Sequence, residues 1–142
     1  MASYVITGAN RGLGLALTQQ LLKSPASEVG KIFAVSRSAP SGAFKELIDS
    51  NTDRVVPITA AVGNTESVQK AAKEVETKLA GHGLDVLINN AGVGPWHPEG
   101  VKSVTPEDLT KVFDVNVGGP QRVTVAFLPL LEKGNLKKVI NV

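Results

Sequence analysis

The stretch VITGANRGLG, residues 5–14, is a short apolar run followed by three glycines within seven residues, and it leads into the leucine-rich GLALTQQLL of residues 14–22. The apolar run reads as a strand. Leu13, Leu17 and Leu21 recur at the spacing of a helix. A strand joined to a helix through Gly8, Gly12 and Gly14 is the arrangement that carries backbone amides and a helix N-terminus up to a phosphate group, because residues without a Cβ allow a tight turn and a close approach.

The same alternation continues along the chain. Strand-like runs fall at Ser3–Ile6, Lys31–Ser36, Val55–Thr59, Asp85–Asn89 and Lys137–Val142. Between them, Phe44, Leu47 and Ile48 suggest a short helix, and Val68, Ala72, Val75 and Leu79 a longer one closing at Gly81. A fourth helix has a clear start: Thr105 as N-cap, Pro106 in the first turn, and Glu107 and Asp108 placed to meet its positive end. No linker, repeat or low-complexity tract interrupts this pattern, which predicts one nucleotide-binding domain over residues 1–142. The expected fold class is a Rossmann-type α/β doubly wound parallel sheet of about five strands. Pro57 lies inside the third strand and cannot donate a backbone hydrogen bond, so that strand belongs on an edge or carries a bulge. In the order 3-2-1-4-5 it is an edge.

Composition narrows the chemistry. The 142 residues are 42% hydrophobic and 20% charged, as a globular core requires. There is no cysteine, and only His82 and His97, which speaks against disulfides, a thiol nucleophile and a metal centre. The net charge of +2 comes from dispersed lysines and arginines, with few aromatics, so nucleic acid is not an expected partner. No apolar run reaches the roughly 18 residues of a membrane span, and the first residues do not read as a signal peptide. A cytoplasmic protein is expected.

The glycines are spaced Gly-x-x-x-Gly-x-Gly inside TGANRGLG, residues 7–14; NNAG follows the fourth strand at residues 89–92, and DVNVGGP stands at residues 114–120. In these three motifs, taken in order, the chain resembles the short-chain dehydrogenase/reductase family. Within it, TGANRGLGLALTQQLL looks most like the carbonyl reductases of the C-factor and sniffer types. The resemblance implies a nicotinamide cofactor held by Gly8, Asn10, Arg11, Gly12, Leu13 and Gly14. It also implies that Asn90, Ala91 and Gly92 lie against the ribose and nicotinamide, with Asn89 bracing the neighbouring strands. At the end of the second strand, where an acidic residue would favour NAD(H), the chain offers Ser36, Arg37 and Ser38. A guanidinium grips a phosphate bidentately, so NADP(H) is the expected cofactor, with Arg11 as a second cation near its 2′-phosphate and NAD(H) as the less favoured alternative. The family's usual Asp after the third strand is here Ala61, which leaves the Val62 backbone to meet the adenine.

Asn116 is conspicuous on its own. Counted from Leu109, Val112 and Phe113, it falls on an apolar helical stripe, where an unpaired amide costs roughly 1–3 kcal/mol. It therefore needs partners, and Gly118, Gly119 and Pro120 are expected to kink the helix and free backbone groups for it. By resemblance, Asn116 belongs to the catalytic proton-relay system.

Family members use a Ser and a Tyr-x-x-x-Lys pair beyond the fifth strand. The sole tyrosine here is Tyr4, with Gly8 four residues on, so none of the three can be assigned. Three readings follow: the amino-terminal part of an NADPH-dependent carbonyl or alcohol oxidoreductase acting on a small molecule; a naturally short, non-catalytic nucleotide-binding or interaction module; or a short enzyme with His97 or Asp114 as the substituted acid. His97 stands beside the sole tryptophan, Trp96, in a loop where a solvated histidine is the plainer expectation and a substrate-shaping pair the alternative. The last strand would leave an apolar edge, so a homo-oligomer is expected.

Overall fold

Five parallel strands form one sheet in the order β3-β2-β1-β4-β5, with β1 (Ala2–Thr7), β2 (Val29–Ser36), β3 (Val55–Thr59), β4 (Val86–Asn89) and β5 (Lys138–Asn141). This is the doubly wound order expected from the sequence. The computed structural model describes residues 1–95, 97 and 99–142, so the expectation for Trp96 lies outside the described residues. Pro57 sits in β3, which pairs with β2 alone among the described strands, so its missing N–H faces no ladder.

Alternation of side chains along the strands divides the core in two. One lateral row runs Val56, Phe33, Val5, Leu87 and Val139 from β3 to β5, and the next runs Pro57, Ala34, Ile6, Ile88 and Ile140. The first row's Val5, Phe33 and Leu87 join α3 (Thr65–Leu79) and α5 (Gly119–Lys133). The second row's Ile6, Ala34 and Ile88 join a cluster with α1 (Gly12–Leu22) and α2 (Gly42–Asp49). Both rows end at β5, where Val139 and Ile140 are exposed.

Two helices depart from their apolar patterns. On α1 the buried residues are Gly14 and Thr18, while Leu13 is 66% exposed, because the helix lies too close to the β1 loop for a large side chain at the contact. On α4 (Pro106–Phe113) the expected cap is present, with Thr105 and Asp108 forming a reciprocal capping box, yet Leu109 and Phe113 are exposed. No element of the described chain lies over that stripe. The helix continues without a break through a π turn at Asp114–Gly118 into α5; the expected kink is instead one widened turn.

At the amino ends of the strands lies a residue that the strand pattern does not single out. Asp85 is 4% exposed, and its carboxylate accepts from Ser3 N (2.9 Å), Ser3 Oγ (3.2 Å), Asn135 N (2.8 Å) and Leu136 N (3.3 Å). Burial pushes its pKa up, but the three backbone donors and the Ser3 hydroxyl outweigh burial and hold it below its ordinary 3.8. One carboxylate thus joins β1, β4 and the α5–β5 connection.

Asp85→Ala should therefore lower unfolding stability at neutral pH by about 3 kcal/mol in urea titrations, since three backbone donors lose their acceptor. With a folded-state pKa below 3.8, the stabilisation is complete above that pH and drains away as pH falls through the lower folded value. Asp85→Asn cannot ionise there, and should show a shallower acid loss than the parent; equal acid slopes would show that Asp85 is not the group responsible.

Candidate functional site

The carboxyl ends of β1 to β4 open into a cleft of about 720 Å³, at the place where an open α/β sheet receives ligands. Its floor is made by two loops locked together. Thr7 Oγ1 accepts from the backbone N–H of Asn90 and of Ala91, each at 3.0 Å, while Asn90 Nδ2 donates to the carbonyls of Thr7 (3.0 Å) and Gly8 (3.3 Å). Thr7 is a functional residue the sequence reading missed. Its hydroxyl at the last position of a strand carries no signal until the opposing loop is known.

The glycines answer to distance. Gly8 has φ +68°, and a Cβ on it would stand 2.9 Å from Ala91 Cα; a Cβ on Gly14 would stand 2.2 Å from the Gly8 carbonyl oxygen and 2.7 Å from Asn90 Nδ2. Gly14 therefore lies beneath the loop and not on the cleft wall. Because it is bare, the first turn of α1 seats directly on the β1 loop. Ala9 N, donating to Val35 O at 2.9 Å, fixes the loop's other side.

The first amides of α1 have no intrahelical acceptor, Arg11 supplies no side-chain cap, and no acidic residue stands in the first turn. By contrast, α3 carries Glu66 there, and α4 carries Glu107 and Asp108. The positive end of α1 is left uncompensated at the cleft. Gly8, Asn10, Arg11, Gly12 and Leu13 line one wall, Arg37 and Ser38 the end of β2, Ala60 to Gly63 the end of β3, and Asn90, Ala91 and Gly92 the end of β4. Lys111 and Val115 close the side toward α4. The described lining holds three cations and no carboxylate, and Lys111 is one the sequence reading did not find.

Other expected site residues stand elsewhere. Ser36 is 3% exposed and its hydroxyl donates to Ser38 O at 2.8 Å, so it shapes the loop bearing Arg37 and does not line the cleft. Asn116 is exposed, contrary to the stripe reading, because Leu109 and Phe113 beside it are exposed too. Both ends of its amide are nonetheless paired: Oδ1 accepts from Val93 N and Nδ2 donates to Val93 O, both at 2.8 Å. It fastens the loop that follows Gly92. Asn89 is buried and donates to Thr124 Oγ1 (3.2 Å) and Asn141 Oδ1 (3.0 Å), bridging β4, α5 and β5.

His97 and Asp114, the alternative acids, are both engaged. His97 Nε2 lies 3.0 Å from Asp108 Oδ2, which also receives Thr105 N and Oγ1 at 2.9 Å. The Thr105 backbone N–H, then its hydroxyl and His97, hold the Asp108 carboxyl below the usual range. His97 is thus tied to the α4 cap and is absent from the cleft lining. Asp114 pairs with Arg122, whose Nη1 also donates to the Asp114 carbonyl at 3.0 Å inside the π turn.

A model of the short chain dehydrogenase family matches residues 3–142. The chain belongs to the short-chain dehydrogenase family. It is 36% identical over 140 residues to the short-chain dehydrogenase anuI of Penicillium roqueforti, a match covering 97% of this chain and 54% of that protein. Its fold is similar to that of the NADPH-bound carbonyl reductase from chicken fatty liver, with TM-score 0.80 and 33% identity over 94% of this chain and 49% of that one. The carbonyl reductase Sniffer of D. melanogaster is comparable: TM-score 0.79 and 32% identity, covering 94% of this chain and 53% of that one. The chain spans about half the length of these relatives.

The packing at Gly14 generates a sharp expectation. Gly14→Ala must displace the Gly8 loop and should cost about 3 kcal/mol in thermal or urea unfolding, whereas Gly12→Ala meets open space and should cost about 1 kcal/mol for its φ of +53°. A larger cost at Gly12 would mean that backbone angle, and not helix-to-loop contact, governs the loop.

Proposed function

We propose that residues 1–142 form an NADP(H)-binding domain serving a carbonyl or alcohol oxidoreductase, and that the cleft at β1 to β4 is the cofactor site. The observation that carries this reading is the charge of the cleft: the uncompensated N-terminus of α1 together with Arg11, Arg37 and Lys111, and no carboxylate in the described lining. A cofactor with a pyrophosphate and a 2′-phosphate fits that charge. Likeness to an NADPH-bound carbonyl reductase supports the same cofactor.

In this reading the amides of Gly12 and Leu13 meet the pyrophosphate, Arg37 and Arg11 the 2′-phosphate, and Val62 the adenine. Asn10, Asn90, Ala91 and Gly92 border the ribose and nicotinamide. Gly14, Ser36 and Asn116 act by positioning: Gly14 seats the helix, Ser36 shapes the Arg37 loop, and Asn116 holds the Gly92–Val93 segment. Such a cofactor supplies a hydride to a carbonyl, or accepts one from an alcohol. The chain's own residues bind and orient it. The proton donor is not assigned to His97 or Asp114, which are committed to Asp108 and Arg122.

Further parts of the reading rest on the surface and composition. A homo-oligomer is part of this reading, and a clean monomer in solution scattering would overturn it. No described helix is long and apolar enough to cross a membrane; with the absence of cysteine, this accords with a cytoplasmic setting.

Calorimetric titration with NADPH and NADH tests the cofactor. The protein should prefer NADPH by at least about ten-fold, and Arg37→Asp should remove most of that preference, because a bidentate phosphate contact becomes a repulsion. Binding of neither nucleotide would overturn the reading; an unchanged ratio in Arg37→Asp would place the 2′-phosphate elsewhere.

A further inference from the structure

We propose that Arg122 is a positioning residue for the nicotinamide side of the cleft: it holds open the π turn whose geometry aims Asn116 at Val93. The inference rests on the reading of the cleft as a dinucleotide site. Asn116 lies within that turn, Asp114–Gly118, and grips the Val93 backbone at both its N–H and its carbonyl. Its Oδ1 is also 3.3 Å from where a Cβ on Gly92 would be. Gly92 and Val93 both line the cleft, so the wall they form is set by the direction in which Asn116 points.

That direction depends on the width of the turn. A π turn spaces its residues more widely round the helix axis than an α turn, so closing it re-aims the side chains it carries. Pro120 opens the way to the wider turn: it has no N–H to give, and its ring excludes the carbonyl of Asn116, four residues back, from its ordinary helical place. Proline supplies nothing to hold the turn, however. Arg122 does. Its Nη1 donates to the Asp114 carbonyl at 3.0 Å, and Nη2 pairs with the Asp114 carboxylate.

The same guanidinium lies against the far end of the turn. A Cβ on Gly118 would stand 3.0 Å from Arg122 Nη1 and 3.2 Å from Nη2. Asp114 and Gly118, the first and last residues of the turn, thus meet one planar group, whose side chain is 22% exposed. A rigid fork can bond a carbonyl and a carboxylate together, which a single ammonium on a flexible stem does poorly. Gly118 also separates positioning from mere helix support. Its φ of −65° is ordinary helix, so alanine there favours the helix while crowding the guanidinium.

The test compares the intact parent with Arg122→Met and Gly118→Ala by amide hydrogen exchange. The Val93 N–H should be protected in the parent and exchange at least about ten-fold faster in Arg122→Met, with a smaller rise in Gly118→Ala. The N–H groups of Asn90 and Ala91, bound by Thr7, should keep their protection. An unprotected Val93 in the parent, unchanged protection in Arg122→Met, or equal acceleration of all three amides would overturn the proposal. If Arg122→Met is poorly folded, Gly118→Ala decides by the same comparison.

Calorimetric titration with NADPH and with 2′-phospho-ADP-ribose, which lacks the nicotinamide, gives the second readout. Arg122→Met should weaken NADPH at least about five-fold and leave the shorter ligand within about two-fold of the parent. Equal losses for both ligands would overturn the assignment to the nicotinamide side. Binding of neither by the parent would instead overturn the dinucleotide reading, while Val93 exchange still decides whether Arg122 holds the turn.

Discussion

The contact between the first turn of α1 and the carbonyl of Gly8 governs the site. A side chain at residue 14 would stand 2.2 Å from that oxygen, so the helix can reach the loop only because residue 14 has none. Once it does, the first turn of α1 and the Asn90 side-chain amide meet the same loop, and Thr7 completes the joint from the other side. Loop, helix and the NNAG segment then form a single floor, held by hydrogen bonds and close backbone contact. This is how a cleft of solvent-exposed glycine and asparagine can keep its shape while the hydrophobic core lies below it.

Electrostatics give that floor its sign. Glu66 on α3, and Glu107 with Asp108 on α4, stand at the positive ends of those helices. The glycine-loop helix, like α2, has no such acid, and its end borders the cleft. An anion placed there gains a partner the chain has left unclaimed, and each cation on the rim adds to the same field. Acid groups are not absent from the molecule's interior, however. Asp85 sits at the opposite ends of the strands, where its charge is consumed by backbone donors and serves the joining of elements.

Much of this is legible in the sequence because it is local or periodic. The alternation of strands and helices, the Thr105 cap and the single Pro57 each depend on neighbours a few residues away, and all appear in the structure as read. What is not legible depends on distance across the fold. Leu13, Leu17 and Leu21 suggest a buried stripe, but closeness to the β1 loop makes Gly14 and Thr18 the contact and turns Leu13 outward. The stripe at Leu109 and Phe113 has the right spacing for burial, yet no element of the described chain covers it. Asn116 needs partners, as its polarity requires, yet finds them in the backbone of Val93, 23 residues away. Thr7, Asp85 and Lys111 give no local sign at all, since their meaning lies in loops that approach from elsewhere in the chain.

The π turn between α4 and α5 sets the relation between two surfaces of one continuous helix. An α-helix advances roughly 100° per residue, so one additional residue in a turn rotates everything beyond it by about that angle. Val123, Phe127, Leu130 and Leu131 are buried toward the sheet, while Leu109, Phe113 and Val117 remain at the surface. Arg122 occupies the widened turn by binding the carbonyl and the carboxylate of Asp114. The turn therefore acts as a phase shifter along a single rod. It lets one end of the helix serve the interior and the other face outward, and it ties that angular offset to the Asp114–Arg122 pair.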